Sequence, residues 1–199
     1  MDYVEAGNYD RGMWLLERFS LFRLRRELLR KASGIVLEIG AGTGANLPFY
    51  PSETMITAID MRPVHLAAAT KKARSVRRKG TFTAGCADAQ DLPFSDNTFD
   101  AVVGTLVFCS IHQPSLALAE IARVLVPGGR LLLLEHVRGQ TSLTRRITDW
   151  LHPFWFALQG ECHLNRDTAA TVANSGFHID RTSVHGRGIL QLIEATNPA

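Results

Sequence analysis

The sequence predicts an α/β fold: a doubly wound, mostly parallel sheet of seven strands that finishes in a C-terminal antiparallel hairpin. From residue 35 onward, short apolar runs alternate with helical segments, the order that builds a parallel sheet covered by helices. Residues 130–136 are apolar almost throughout, as in a central strand buried on both faces. The last two predicted strands are separated only by residues 185–188, which are too few for a helical crossover, so these strands should pair antiparallel.

Each element follows from its local pattern. Residues 11–31 lack proline and are rich in leucine and arginine, which favours a helix, and the spread of apolar positions indicates a break near Ser20 or a helix covered on several sides. The predicted strands are residues 35–40, 55–60, 81–86, 99–105, 130–136, 177–184 and 189–195. The later predicted helices are residues 63–79, 115–126 and 166–175, the second stopped by Pro127-Gly-Gly and the third capped by Asn165.

Length and composition indicate one ordinary globular domain. The chain has 199 residues, of which 46% are hydrophobic and 21% are charged. We expect a single domain over residues 1–199, with an N-terminal helical lid or surface segment (1–34), a ligand-binding core (35–136) and an acceptor-side segment with the hairpin (137–199). No apolar run is long enough to span a membrane, and the N-terminus is not a secretory signal.

The cysteines and the charge distribution indicate the cellular compartment and the classes of binding partner. Cys86, Cys109 and Cys162 are odd in number and far apart, which predicts no metal site, no disulfide framework and a cytoplasmic location. Basic residues concentrate in residues 11–31 and 71–79, although the net charge is only +3. These stretches are either solvated helix faces or surfaces for anionic lipid, so peripheral membrane contact through the N-terminal helix is possible. Aromatic residues do not interleave with the second stretch, so no nucleic-acid partner is expected.

Residues 35–45 are the most informative segment, because they join a buried strand to a glycine-rich turn. Gly40, Gly42 and Gly44 let the backbone turn tightly and approach a ligand. A helix is expected to begin after the turn and to point its amino-terminal N–H groups at the same place. The spacing also satisfies the dinucleotide fingerprint, with Asp60 eighteen residues beyond Gly42.

Glu38 separates two candidate ligands of this turn. A carboxylate at the mouth of the turn would repel a pyrophosphate and attract an ammonium or a sulfonium group. S-adenosylmethionine carries both of these positive groups, whereas NAD carries neither. The residue therefore favours S-adenosylmethionine, with an NAD site as the alternative.

Three further positions fall at the carboxyl ends of strands, where open α/β sheets bind ligands. Asp60 closes the second strand and can accept hydrogen bonds from both hydroxyls of a ribose, or can form a turn before the next helix. Asp88 follows the third strand and can accept from the amine of adenine, with the N–H of Ala89 beside the ring. Residues 105–112 follow the fourth strand and should line the place where the reaction occurs.

Five motifs in one order resemble the class I S-adenosylmethionine-dependent methyltransferases. They are Glu38-x-Gly-x-Gly-x-Gly, Asp60, Ala87-Asp-Ala, Phe99-Asp-Ala-Val-Val and Arg123-Val-Leu-Val-Pro-Gly-Gly. Within that group, residues 44–51, 105–110, 134–137 and 160–168 resemble the type 11 branch, above all the methyltransferase-like 7 thiol methyltransferases beside the bacterial phospholipid and quinone methyltransferases. Its membrane-associated members carry a long apolar anchor, whereas only the helix over residues 11–31 precedes the core here, so a peripheral or soluble enzyme is expected.

This resemblance implies a Rossmann-like methyltransferase fold and a set of cofactor residues. The implied residues are Glu38, Gly40, Gly42, Gly44, Asn46, Asp60, Met61, Asp88, Ala89 and Thr105. Glu38 and the glycine turn would hold the methionine part, Asp60 the ribose, and Asp88 with Ala89 the adenine. The protein would mainly position the acceptor and the methyl group at near-attack distance.

The acceptor side is expected to be apolar. Leu106, Val107, Phe108 and Ile111 follow the fourth strand, and residues 150–158 are rich in tryptophan and phenylalanine. We therefore predict methyl transfer to a small, largely apolar molecule or lipid, with a thiol or a phospholipid amine favoured and a quinone-type carbon next. The candidate catalytic proton acceptors are His112, His136 and His163, each of which can equally be a structural, hydrogen-bonded histidine.

Two other functions remain open at this point. One is an NAD-linked oxidoreductase or epimerase, which the dinucleotide spacing allows. The other is a non-catalytic module that binds S-adenosylmethionine or a lipid surface. No sequence pattern specifies an oligomeric state.

Overall fold

The computed structural model describes residues 21–136, 146, 166–185 and 190–198, and within them seven strands form one sheet. The strands are β1 (Ile35–Ile39), β2 (Met55–Asp60), β3 (Phe82–Cys86), β4 (Phe99–Thr105), β5 (Leu125–His136), β6 (His178–His185) and β7 (Leu190–Thr196). Their order is β3-β2-β1-β4-β5-β7-β6; the first five are parallel, and β7 runs antiparallel to both β5 and β6. The predicted mostly parallel sheet with a C-terminal antiparallel pair is confirmed.

Helices cover both faces of this sheet, as a doubly wound fold requires. They are α1 (Phe22–Leu29), α2 (Pro63–Ser75), α3 (Pro114–Val124) and α4 (Thr168–Asn174). Alternate residues of β5 enter opposite cores: Leu131 and Leu133 pack in the core of α3 and α4, whereas Leu132 and Leu134 pack in the core of α1. All four of these leucines are fully buried, which explains the continuous apolar run of this strand.

The glycine turn after β1 is not followed by the predicted helix. Residues 42–46 form turns, and only a 3-10 helix, Leu47–Phe49, comes next. Pro48 lies within this short helix and Pro51 follows it, and proline lacks the N–H that continuation of a helix needs. The expectation that a helix points its amino-terminal N–H groups at the turn is therefore wrong.

Three helix ends also differ from the sequence prediction. Helix α2 ends at Ser75 rather than at residue 79, because the chain returns to the sheet, where the N–H groups of Lys79 and Gly80 donate to the carbonyl of Ser52. Helix α3 ends at Val124, and the Pro-Gly-Gly segment lies inside β5. Helix α4 is capped by Asp167, whose carboxylate accepts from the N–H of Ala170 at 3.1 Å. Ser20 and the predicted cap Asn165 lie outside the described residues.

Candidate functional site

The carboxyl ends of β1 to β4 bring most of the predicted ligand-binding residues to one edge of the sheet. The strand order β3-β2-β1-β4 places β1 between β2 and β4. In register, Ile39 of β1 lies opposite Ile59 and Gly104, so Glu38, Asp60 and Thr105 share that edge. Asp60 pairs with Cys86 at the end of β3, just before Asp88.

The three glycines of the turn serve different purposes. A Cβ added to Gly40 would stand 2.3 Å from Cγ2 of Val107, so this glycine allows the loop after β4 to pack against the turn. Gly44 packs against α2, where Cα of Ala69 would be 3.1 Å from an added Cβ. Gly42 has a φ of +53° and nothing within 4 Å of an added Cβ. Its backbone therefore faces open space, which suits close approach of a ligand.

Asp60 ties the end of β2 to the glycine turn. One carboxylate oxygen accepts from the N–H of Gly42 at 2.9 Å, and the other accepts from the N–H of Arg62 at 2.9 Å. The Asp60 carboxylate thus forms the turn expected of it, yet each oxygen retains a lone pair for a further donor. The neighbouring Met61 is 68% exposed.

Glu38 is buried beneath the turn rather than standing at its mouth. The residue is 1% exposed, and its two carboxylate oxygens accept from Nδ2 of Asn46 at 2.8 Å and from the hydroxyl of Tyr50 at 3.0 Å. Burial raises the pKa of Glu38 from 4.5 to about 7, although these hydrogen bonds and the charges of Arg25 and Arg78 favour the ionised form. The expectation of an open carboxylate is therefore corrected to a carboxyl group within a buried polar cluster.

Arg25 of α1 completes this cluster from the other side. Its Nη1 donates to Oδ1 of Asn46 and, at 2.8 Å, to Oγ1 of Thr105. Nδ2 of Asn46 also donates to Oγ1 of Thr105, at 3.0 Å. Glu38, Asn46 and Thr105 are thus brought together as predicted, whereas Arg25 and Tyr50 were not singled out by the sequence analysis.

Asp88 and Ala89 form the next part of the same edge. The Asp88 carboxylate accepts from the backbone N–H of Gln90 at 2.9 Å and from Nε2 of Gln90 at 3.0 Å. Oε1 of Gln90 in turn accepts from the N–H of Gln113, which links this turn to the start of α3. Ala89 is 7% exposed and packs in the core.

The segment after β4 is less open than predicted. Phe108 and Ile111 are buried in the core between the sheet and α3, so they do not form an exposed apolar wall. Leu106 and Val107 are half-buried and remain as the apolar surface of this segment. Leu106 has a φ of +56°, a left-handed conformation that a side chain with a Cβ seldom adopts.

Two of the three candidate histidines lie among the described residues. His112 is exposed at the end of this segment, and His136 is half-buried at the end of β5. His163 and the aromatic residues 150–158 lie outside the described residues. The buried acid beside His136 is Glu135, which is 0% exposed and which burial gives a raised pKa of about 7.

Comparisons with known proteins agree with this arrangement. Residues 37–133 match the methyltransferase domain family. The chain is 33% identical over 163 residues to thiol S-methyltransferase TMT1B of Homo sapiens, covering 77% of this chain and 67% of that protein. It is 31% identical over 130 residues to the phosphatidylethanolamine N-methyltransferase of Cereibacter sphaeroides, covering 62% and 64% respectively. The chain spans 59% of the length of the corresponding thiol S-methyltransferase of Rattus norvegicus.

The fold is also found among solved structures. A structure of an S-adenosylmethionine-dependent methyltransferase from Aquifex aeolicus superposes with a TM-score of 0.70 and 19% sequence identity, covering 98% of both chains. At this identity the similarity establishes the fold and not the substrate.

Proposed function

Because this chain belongs to the S-adenosylmethionine-dependent methyltransferases of the methyltransferase domain family, we propose that it methylates a small, largely apolar acceptor. A thiol or a phospholipid amine is favoured and a quinone-type carbon comes next. The observation that carries the proposal is the placement of Glu38, Asp60 and Asp88 at the ends of three adjacent strands around a glycine whose backbone faces open space.

These residues fit S-adenosylmethionine in shape and in charge. Gly42 leaves the space that a side chain would fill, and Asp60 stands at its N–H, within reach of ribose hydroxyls. The buried cluster of Glu38, Asn46 and Arg25 lies beneath the turn, and we assign it to the support of the amino-acid part of the ligand. When bound, S-adenosylmethionine supplies an electrophilic methyl carbon attached to a sulfonium. The chain's own residues hold it and exclude water, which is the main contribution of such a site.

The same residues argue against an NAD-linked enzyme. A pyrophosphate is commonly held by the amino terminus of a helix, and a 3-10 helix of three residues follows the glycine turn here. The Asp60 carboxylate already accepts from the N–H of Gly42 at that turn, and its charge would oppose a dianionic group there. The remaining alternative is a non-catalytic module that binds S-adenosylmethionine. Such a module would bind S-adenosylmethionine but would not convert it to S-adenosylhomocysteine.

The apolar surface of Leu106 and Val107 supports an acceptor with little charge, because it stands at the end of β4 beside the glycine turn. The relatives named for thiols and for phosphatidylethanolamine agree with such an acceptor. Leu106 and Val107 would contact the apolar part of such an acceptor, because a polar group buried against these two side chains alone would lose hydration.

An acceptor panel tests this proposal. The protein is incubated with S-adenosylmethionine and with butanethiol, phosphatidylethanolamine vesicles or a short-chain quinol, and S-adenosylhomocysteine is measured by mass spectrometry. We expect release above the acceptor-free control with at least one member. Binding of S-adenosylmethionine without release in any reaction would instead support the non-catalytic module.

We also propose peripheral contact of α1 with anionic lipid. Phe22 is 51% exposed and stacks edge-on against Phe49 at 4.8 Å, and the exposed Arg26 and Arg30 line the same shallow cavity. Aromatic rings beside guanidinium groups suit a membrane interface. Among the described residues, no helix combines the length and apolarity that crossing a membrane would require.

Sedimentation with vesicles tests this contact. We expect more protein to sediment with vesicles containing phosphatidylglycerol than with pure phosphatidylcholine, and the Arg26→Glu, Arg30→Glu double variant to lose the difference. Arg74→Glu with Arg77→Glu is the matched control, because these exposed residues belong to the other basic stretch. Equal sedimentation with both kinds of vesicle would contradict lipid contact.

A further inference from the structure

The segment after β4 closes into a single helical turn over residues 107–111. The N–H groups of Ser110 and Ile111 both donate to the carbonyl of Val107, at 2.9 and 3.2 Å. A turn this short leaves its first N–H groups and its last carbonyls without partners inside the turn. Side chains from elsewhere in the fold supply those partners.

Glu135 of β5 binds the amino end of the turn. Its Oε1 accepts from the N–H of Val107 at 3.1 Å and its Oε2 accepts from the N–H of Cys109 at 3.4 Å, and the N–H of Phe108 adds a third bond. Glu135 itself is 0% exposed. A carboxyl group is rarely buried without a role, and here it gathers three successive backbone donors.

Arg166 binds the opposite end of the same turn. Its Nη1 donates to the carbonyl of Phe108 at 2.6 Å and to the carbonyl of Ile111 at 2.5 Å. The turn therefore has an acid at its positive end and a guanidinium at its negative end, which is the favourable order for a helix dipole. Arg166 immediately precedes Asp167, the N-cap of α4, so the turn is connected to that helix as well.

The turn is held directly against the glycine turn. Cγ2 of Val107 occupies the space where Gly40 would carry a Cβ, and Cγ1 of Val107 also lies 3.1 Å from the Cβ position of Gly104. The connecting residue Leu106 is left-handed, and its N–H donates to the carbonyl of Leu134 at 2.7 Å. A left-handed leucine persists only where the surrounding structure enforces it.

We propose that Glu135 and Arg166 are positioning residues that hold the 107–111 turn against the glycine turn, and so set where an apolar acceptor stands relative to the methyl donor. This rests on the proposed function, because the donor is assigned to the glycine turn there. Neither residue needs to touch the reacting atoms. Their effect passes through the backbone of the turn and through the side chain of Val107.

The variant Glu135→Gln tests this role with little change in volume. An amide nitrogen cannot accept from an N–H, so the variant loses part of the amino-end contacts. With the acceptor of the panel that the wild type methylates fastest, we expect kcat/KM for the acceptor to fall about 10- to 100-fold, since a displacement of about 1 Å has such an effect. The Kd for S-adenosylmethionine, measured by calorimetry, should stay within error of the wild type.

Asp100→Asn is the matched control. Its carboxylate also accepts from a backbone N–H, that of Ile35 at 2.8 Å, but at the opposite end of the strands. We expect neither kcat/KM for the acceptor nor the Kd for S-adenosylmethionine to change in this variant. Hydrogen exchange should be faster at residues 107–109 in Glu135→Gln and unaltered there in Asp100→Asn.

Arg166 provides a second test if Glu135→Gln folds poorly. Arg166→Met removes the donors and should lower kcat/KM for the acceptor, whereas Arg166→Lys keeps a cation and should recover part of the loss. The inference is overturned if both Arg166 variants match the wild type, or if Kd for the donor and kcat/KM for the acceptor worsen equally. A wild-type protein that methylates no panel member overturns the proposed function itself, and this inference with it.

Discussion

Among the described residues, Glu38 and Glu135 are the two carboxyl groups for which burial makes the ionised form least favourable. Each is nearly or fully buried, and in each case loss of hydration is the main reason that the pKa rises from 4.5 to about 7. Hydrogen bonds from Asn46 and Tyr50 offset part of this effect at Glu38. Both acids lie at the edge where the glycine turn and the 107–111 turn meet, and buried acids with a raised pKa are frequent at functional sites.

The raised pKa of Glu38 predicts how stability changes with pH. The folded protein keeps a proton on Glu38 up to about pH 7, whereas the unfolded chain loses it near pH 4.5. The free energy of unfolding should therefore fall as the pH rises from 5 to 8, since the folded state binds more protons in that window. Glu38→Gln, which cannot ionise, should show a smaller fall, by at most a few kcal/mol because one pKa unit corresponds to about 1.4 kcal/mol.

Urea denaturation at several pH values between 5 and 8 measures this slope. Glu120→Gln is the control, because Arg123 holds the pKa of Glu120 near 2 and its titration lies below the window. If the free energy of unfolding of Glu38→Gln falls with pH as steeply as that of the wild type, the titration of Glu38 is not its cause.

The sequence located the acids at the ends of β1, β2 and β3 but not Arg25 or Glu135. Glu38, Asp60 and Asp88 stand at strand ends, and their positions follow from local pattern alone. Arg25 is one of many basic residues in its segment, and only its burial, at 6% exposed, and its contact with Thr105, 80 positions away, set it apart. The sequence analysis also missed Glu135, because the N–H groups that it binds belong to the segment after β4, distant in sequence.

Among the elements, β2 and β4 were predicted well, whereas the helix ends and the start of β5, which is Leu125 and not residue 130, were predicted poorly. Strands β2 and β4 have the predicted bounds, since apolar runs buried on both faces leave few alternatives. The helix predicted after the glycine turn is absent because Pro48 and Pro51 interrupt it. Helix α2 ends early because the N–H groups of Lys79 and Gly80 donate to the carbonyl of Ser52, and Arg78 donates to the carbonyls of Leu47 and Thr54, contacts that no local pattern reveals.

Gly42 and Gly128 have similar backbone conformations but lie in different parts of the fold. Gly42→Ala places a methyl group in space that we assign to the cofactor, while the left-handed backbone at φ +53° costs about 1 kcal/mol of folding free energy. Gly128→Ala has the same backbone cost, at φ +77° with equally open space, but lies in β5 away from the carboxyl ends of the strands. We expect similar losses in stability from the two variants.

Binding separates the two glycine variants. In calorimetry, Gly42→Ala should raise the Kd for S-adenosylmethionine about tenfold or more, a loss of about 1.4 kcal/mol in binding free energy. Gly128→Ala should bind S-adenosylmethionine with the Kd of the wild type. Equal affinity of both variants would show that the open space at Gly42 is not part of the cofactor site.

For the whole molecule, the fold explains why distant segments meet at one site. Strand β1 lies between β2 and β4, and β5 adjoins β4, so the acids at the ends of the first three strands share one edge of the sheet with the turn that Glu135 holds. Helix α1 reaches the same edge from one face through Arg25, and Arg166 reaches it from the segment that begins α4. The residues that we assign to the cofactor and those that we assign to the acceptor thus meet at one edge of the sheet.

We propose that this edge of the sheet binds S-adenosylmethionine through the glycine turn and its acids. Calorimetric titration of the wild type and of an Asp60→Ala, Asp88→Ala double variant measures this binding. We expect saturable binding by the wild type and strong loss of affinity in the double variant. No heat of binding with millimolar S-adenosylmethionine, or undiminished affinity in the double variant, would contradict it.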